Sequence, residues 1–190
     1  MKKIVTFFTV VSMPFVVAAD MSQHQAEAKK ITGAFFKELK GELGKGMKAG
    51  GPTAAIDRCN LKAPGIALKH SKAAGWEVGR TSLKLRDPAN APDTWEEKVL
   101  RQFEQRRANG ESSDTLAHAE VVKENGEEYF RFMKGIVMPP AKKMPCLKCH
   151  GENLNAKVSA KLDQLYPHDQ ATGYRAGQVR GAFTLKKKLQ

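Results

Sequence analysis

Cysteine, aromatic residues and long hydrophobic runs are all scarce in this 190-residue chain. Three cysteines are too few for a disulfide-stapled mini-protein, and their odd number needs an explanation of its own. Aromatic residues make up 7% and are not interleaved with basic residues, which argues against a base-stacking nucleic-acid surface. Hydrophobic residues still make up 41%, enough for one globular domain with a packed core.

The first 19 residues have the composition of an export signal. Two lysines precede an apolar stretch, residues 4–17, and Ala18 and Ala19 provide small residues before Asp20. This order is that of a cleavable signal peptide, with an uncleaved anchor as the alternative. We therefore predict residues 1–19 to be a signal peptide and the protein to be periplasmic, with no membrane association after cleavage.

The chain is strongly basic, with 32 Lys and Arg against 20 Asp and Glu and a formal net charge of +12. An exported protein rarely meets nucleic acid, so we predict no nucleic-acid partner. Acidic redox proteins, a membrane surface or an acidic cofactor are more plausible anionic partners. Most of the lysines are scattered, which is typical of a solvated surface.

Apolar periodicity predicts helices at the start of the mature chain. Residues 22–49 carry an apolar residue every four positions, from Ile31 to Met47, and the predicted N-terminal helix therefore occupies residues 20–50. Gly50 and Gly51 end it, and a second helix is expected over about 53–61. Pro64 should break that helix before a short helix resumes to Ala74.

The rest of the chain alternates mainly between strand patterns and short helices. Residues around Glu124-Asn125-Gly126 have the composition of a hairpin turn. The fold expected is α+β, an antiparallel sheet of three to five strands with helices packed on one face. The predicted strands are 76–86, 115–123, 127–138 and 177–189, and the predicted helices are 93–108, capped by Asp93, and 156–165.

Residues 146–150 read Cys-Leu-Lys-Cys-His, the attachment motif of c-type haem. Two thiols separated by two residues reach the two vinyl groups of one porphyrin, and the next residue presents an imidazole to the iron. The motif predicts one covalently attached haem c, with Cys146 and Cys149 as thioethers and His150 as the proximal ligand.

Three other interpretations compete for the motif. The cysteines could form a disulfide or a dithiol redox site. They could belong to a zinc site completed by Cys59 and a histidine, although adjacent Cys149 and His150 seldom both reach one tetrahedral ion. Coincidence is the third interpretation.

The second axial ligand is not fixed by the motif. Cys59 stands out because it is left unpaired if the other two cysteines hold haem. Cys59 shares a helical face with Ala55 and Ile56. A role as a small buried hydrophobic residue is therefore an equally good interpretation of Cys59. The other candidates considered are His24, His70, His118, His168, Met133, Met138 and Met144.

Five stretches of the sequence carry a resemblance to a known family. They are AAIDRCNLKAPGIA (54–67), GWEVGRTSLKLRDPANAPDTWE (75–96), FRFMKGI (130–136), CLKCHG (146–151) and YPHDQATGYRAGQVRGAF (166–183). In these stretches the chain resembles, from Gly51 onward, the Tll-type family of c-haem domains with a PAS-like fold, found as small exported proteins and as outer domains of sensor kinases. The resemblance implies a single PAS-like haem domain over residues 51–190 and a thiolate distal ligand, which maps onto Cys59.

The haem propionates need cationic partners. Arg80, Lys84 and Arg86 are expected on one face of a strand, and Arg180 lies in the last predicted strand. Because arginine binds carboxylates with two parallel hydrogen bonds, we predict Arg80 and Arg180 as the propionate partners. Gly181 either lets the backbone approach the macrocycle or marks a bulge.

The sequence is compatible with three functions. A sensing module would change iron ligation with redox state or on binding a diatomic gas, as a labile thiolate at Cys59 would allow. An electron carrier between exported redox proteins would keep two fixed ligands. An enzyme such as a peroxidase is not expected, because it needs an open iron and a distal acid or base.

Overall fold

The computed structural model describes residues 15–189, with side chains described from Asp20 onward. The predicted signal peptide, residues 1–19, falls outside the part whose side chains are described, and it stays a prediction. Within residues 15–189, no helix is both long and apolar enough to cross a membrane.

Helix α1 (Phe15–Ala74) is a helical hairpin with two arms, residues 15–49 and 52–74. The break is at Gly50 and Gly51, as predicted, and Gly51 has φ 72°, a value that favours glycine. Gly46 brings the arms together, since a Cβ there would lie 2.5 Å from the Cα of Ala55. Ion pairs also join the arms, including Arg58 to a carboxylate of the first arm at 2.5 Å.

The predicted break at Pro64 was wrong, because the second arm is helical from residue 52 to Ala74. Proline removes one backbone hydrogen bond and costs roughly 3 kcal/mol in a helix interior. The second arm gains compensating contacts from the first arm and from the helix over Ala156–Leu165, against which Ile56 is buried.

The sheet has four antiparallel strands in the order β1-β4-β3-β2. Asn125 and Gly126 join β2 to β3 with φ values of 52° and 85°, so the predicted hairpin turn is confirmed. The strands are β1 (Glu77–Thr81), β2 (Ala117–Glu124), β3 (Glu127–Val137) and β4 (Val179–Lys188).

The helices after α1 lie close to where the sequence predicts them. Asp93 caps α2 and forms a reciprocal capping box with Glu96. A 3₁₀ turn (Pro88–Asn90) precedes α2. The helices are α2 (Thr94–Ala108), α3 (Leu147–His150) and α4 (Ala156–Leu165).

Two details of the sheet differ from expectation. β1 ends at Thr81, so Lys84 and Arg86 lie beyond it and do not share a strand face with Arg80. Helices also cover both faces of the sheet rather than one. α1 packs on the face that carries Phe132, and α2 packs on the face that carries Met133.

Candidate functional site

A cavity of about 360 Å³ lies between the α1 hairpin and one end of the sheet. This volume is within the usual range for small-molecule and cofactor sites. The lining is mainly apolar and includes residues from both arms of α1, from β1 and β4, and from the segment around α3. All the site residues predicted from sequence line it: Cys59, Arg80, Cys146, Cys149, His150 and Arg180.

The last four residues of the Cys-x-x-Cys-His motif form the one-turn helix α3, with Cys146 at the N-cap position and no side-chain capping bond. Neither cysteine of the motif is in a disulfide, and Cys59 is also free. Gly151 ends the turn, where a Cβ would collide with the carbonyl oxygen of Leu147. The glycine therefore lets the chain turn away immediately after His150.

His150 is held in one orientation by its Nδ1, which lies 2.7 Å from the carbonyl oxygen of Ala171. A carbonyl only accepts hydrogen bonds, so Nδ1 carries the proton and Nε2 keeps its lone pair. Arg180 Nε also lies 3.3 Å from Nδ1, but two donors do not bond and the contact is only a proximity. Burial, with the charges of Arg86 and Arg180 nearby, holds the pKa of His150 well below its usual value. The ring is therefore neutral and able to ligate a metal.

The two predicted propionate partners are not equivalent. Arg180 is committed to the protein, donating to Ser82 Oγ at 2.8 Å and to the Lys84 carbonyl at 3.1 Å. Within residues 15–189, the side chain of Arg80 has neither a hydrogen bond nor an ion pair, and burial lowers its pKa. All the donors of the Arg80 guanidinium are thus unused by the described residues.

Arg86, the third arginine of this region, also lines the cavity but is bonded to other groups of the protein. Its guanidinium forms an ion pair with Asp169 at 2.9 Å and donates to the Cys149 carbonyl at 2.6 Å. Sequence reasoning gave Asp169 no role. The sequence did contain a local signal for the position of Asp169. An aspartate whose carboxylate accepts from the amide two residues ahead forms a common turn, and Asp169 Oδ1 accepts from Ala171 N at 2.8 Å.

Among the candidates for a second axial ligand, the histidines are occupied or distant from the cavity. His24 contacts Asp20, His70 contacts a carboxylate of α1, and His118 contacts Glu120. His168 is exposed. Of the named candidates, only Cys59, Met138 and Met144 line the cavity.

Cys59 lies on the second arm of α1, half-buried at the cavity wall. Burial raises the pKa of its thiol, and the positive charges of Arg80 and Arg86 partly oppose that effect. Its helical position beside Ala55 and Ile56, both buried, agrees with the apolar face expected from sequence.

Two further observations concern the zinc alternative and Gly181. Within the described part of the chain, no three His, Cys, Asp or Glu side chains are grouped as a metal site. Gly181 marks an irregularity in the β3–β4 pairing, and a Cβ there would collide with the Thr81 carbonyl oxygen. It therefore serves the close approach of two strands.

An α+β domain with helices packed on a four-stranded antiparallel sheet is consistent with the PAS-like class, here with a cavity beside the sheet. The model of the Tll0287-like family matches residues 15–187, and the chain belongs to that family.

One solved structure with a similar fold is that of the cyanobacterial heme-protein Tll0287. The TM-score is 0.61 and the sequence identity 21%, with 90% of this chain and 96% of that chain covered. At this identity the likeness is one of fold. A comparison with curated protein sequences finds no match.

Proposed function

We propose that this protein is an exported cytochrome with one haem c, and that it acts as a redox or small-ligand sensing module. Cys146 and Cys149 would form the thioethers, His150 would be the proximal ligand and Cys59 the distal ligand. The observation that carries the proposal is that a helix-borne thiol and a Cys-x-x-Cys-His turn, far apart in sequence, line one cavity.

The residues present fit a haem. The His150 ring is neutral, with Nδ1 bonded to a backbone carbonyl, as metal-bound histidines usually are. Arg80 offers unused donors for a propionate, and Arg180, which lines the cavity and donates to Ser82 through Nη1, stays the second proposed propionate partner. The neighbour of similar fold is a heme-protein by its title, which supports the same cofactor class.

Bound haem supplies a one-electron iron couple and a coordination position for a small ligand. Sensing requires that Cys59 leave the iron in one oxidation state or in the presence of a gas, whereas electron transfer requires both ligands to stay. The one-turn α3 carries the histidine side of the site, while Cys59 belongs to the separate α1 hairpin. Because the two proposed iron ligands are held by different elements, one could move without the other, which favours the sensing module. An electron carrier is the alternative.

We also propose that the protein is not an enzyme and that it works in the periplasm. Peroxidase chemistry needs a distal acid or base, and His150 is the only histidine among the described residues that line the cavity. The periplasmic location follows from the leader-like residues 1–19 and from the extracytoplasmic assembly that haem c requires.

The test is to coexpress the full chain with the haem c maturation machinery and to measure its intact mass and absorption spectrum. The proposal expects the mass of the cleaved chain plus one haem that survives denaturation. A colourless product with the mass of the polypeptide alone would overturn it.

Cys59→Ala tests the distal ligand, with Met144→Leu as the matched control on the same cavity. We expect Cys59→Ala to convert the ferric spectrum to five-coordinate or rearranged ligation, because the thiol is lost. Met144→Leu should leave the spectrum unchanged. If the two variants reverse these results, Met144 is the ligand and the assignment of Cys59 is wrong.

Spectra of both oxidation states with and without carbon monoxide separate sensor from carrier. A labile Cys59 predicts that carbon monoxide binds the ferrous protein. Six-coordinate spectra in both states that carbon monoxide does not alter would favour the electron carrier.

A further inference from the structure

The segment over residues 169–174 runs behind the motif and is bonded to it along the backbone. Tyr174 N donates to the His150 carbonyl at 2.8 Å, and Gly173 N donates to the Gly151 carbonyl at 3.0 Å. The segment also supplies Ala171 O, the acceptor for His150 Nδ1. The direction of the imidazole therefore depends on where this segment lies.

A buried ion pair ties that segment to the motif. The side chains of Arg86 and Asp169 are 14% and 6% exposed. Asp169 accepts from Ala171 N, and Arg86 donates to the carbonyl of Cys149 in addition to its bond with Asp169. One guanidinium thus bridges the residue before His150 and the turn that bears the Nδ1 acceptor.

We propose that Arg86 and Asp169 are positioning residues that fix the rotation of the His150 ring and so tune the iron it ligates. The inference rests on the proposed haem site. Neither residue is assigned to touch the cofactor, since Arg86 acts through the Cys149 carbonyl and Asp169 through the Ala171 amide. A four-residue helix has too few bonds to fix a side chain by itself, which is why the ion pair is needed.

The physical consequence concerns two properties of the haem. The orientation of the axial imidazole plane sets the anisotropy of the ferric electron paramagnetic resonance spectrum. The strength of the Nδ1 hydrogen bond would set how strongly the ring donates to iron, and changes to such partners of metal-bound histidines typically cost about 10–100-fold in metal affinity or activity. A tenfold change in the balance of oxidation states corresponds to about 59 mV for one electron.

The main variants are Asp169→Asn and Arg86→Lys, each prepared with haem. Asp169→Asn keeps an acceptor for Ala171 N but removes the charge that holds Arg86. Arg86→Lys keeps the charge but lacks the planar fork that reaches two acceptors. We expect both variants to change the resonance anisotropy and to move the reduction potential by the equivalent of tenfold or more.

Glu152→Gln is the matched control, because Glu152 lies two residues from His150 and pairs with the exposed Arg175. It removes one carboxylate near the motif but lies outside the network, so the resonance spectrum should stay as in the unaltered protein. If Asp169→Asn does not fold, Arg86→Lys decides.

Unchanged anisotropy in haem-loaded Asp169→Asn and Arg86→Lys would overturn the inference, even if the potential shifts, because the ring orientation would then not depend on the ion pair. That result would leave the haem proposal standing. An unaltered protein that carries no haem would overturn both, so the two failures are distinguishable.

Discussion

Each face of the sheet carries a largely buried arginine, and the two arginines differ in their partners. On the α2 face, Arg131 of β3 is 4% exposed and lies within 3.4 Å of three carboxylates, with the Trp95 ring 4.3 Å away. On the α1 face, Arg80 of β1 lines the cavity, and its side chain has no hydrogen bond or ion pair with any described residue. The carboxylates around Arg131 are Asp93, Glu96 and Glu124.

The charge of Arg131 is therefore structural, whereas the charge of Arg80 is able to bind a ligand. A buried charge is stable only when it is paired, and the α2 face supplies its own pairs. The α1 face leaves Arg80 beside the residues proposed to hold haem, whose propionates are anionic. The same residue type therefore has two roles in one sheet, decided by what packs on each face.

The largest expected effect is on the α2 face. Arg131→Met should lower the free energy of unfolding by about 3 kcal/mol, because it leaves the buried carboxylate of Glu96 without its cation. Urea denaturation measures the loss. Arg101→Met on α2 is the control, since Arg101 pairs only with Glu97 at the surface and should cost less than about 1 kcal/mol. Equal losses for the two variants would contradict a structural role for Arg131.

A smaller effect is expected at the wall of the α1 cavity. Gly46→Ala places a Cβ against Ala55 in the opposite arm and should cost about 1–3 kcal/mol, because the arms must separate. Gly44→Ala has no neighbour within 4 Å and should stabilise α1 by about 0.5–1 kcal/mol. Thermal unfolding of both variants tests the packing, and a neutral Gly46→Ala would mean that the arms are not closely apposed.

The smallest loss of stability is expected for Arg80. In chain produced without haem, Arg80→Met should not lower the free energy of unfolding, because no partner is lost and an unpaired buried charge is removed. In the haem-loaded protein the variant should lower the reduction potential, since a positive charge near iron favours the ferrous state. A stability loss as large as that of Arg131→Met would show that the two arginines are equivalent.

Much of the fold could be predicted because its signals are local. The N-cap at Asp93, the glycines that break α1 and the Asn125-Gly126 turn each act within a few residues, and each lies where predicted. Pro64 was misjudged because contacts between distant segments outweigh a local penalty. The packing of helices on both faces of the sheet was not predicted, because it too depends on contacts between distant segments. Strand patterns do not specify which helix covers which face.

The sequence by itself determined the chemistry available, because the thiols and the imidazole of residues 146–150 follow from five consecutive letters. Only the tertiary structure decided how the distant residues are used. Arg80, Arg86 and Arg180 look alike in sequence. Packing leaves the Arg80 side chain without a partner among residues 15–189, whereas Arg86 and Arg180 are bonded to other groups. The physical reason is that pairing depends on which groups share a buried volume, and residues as distant as Arg86 and Asp169 meet only when the chain folds.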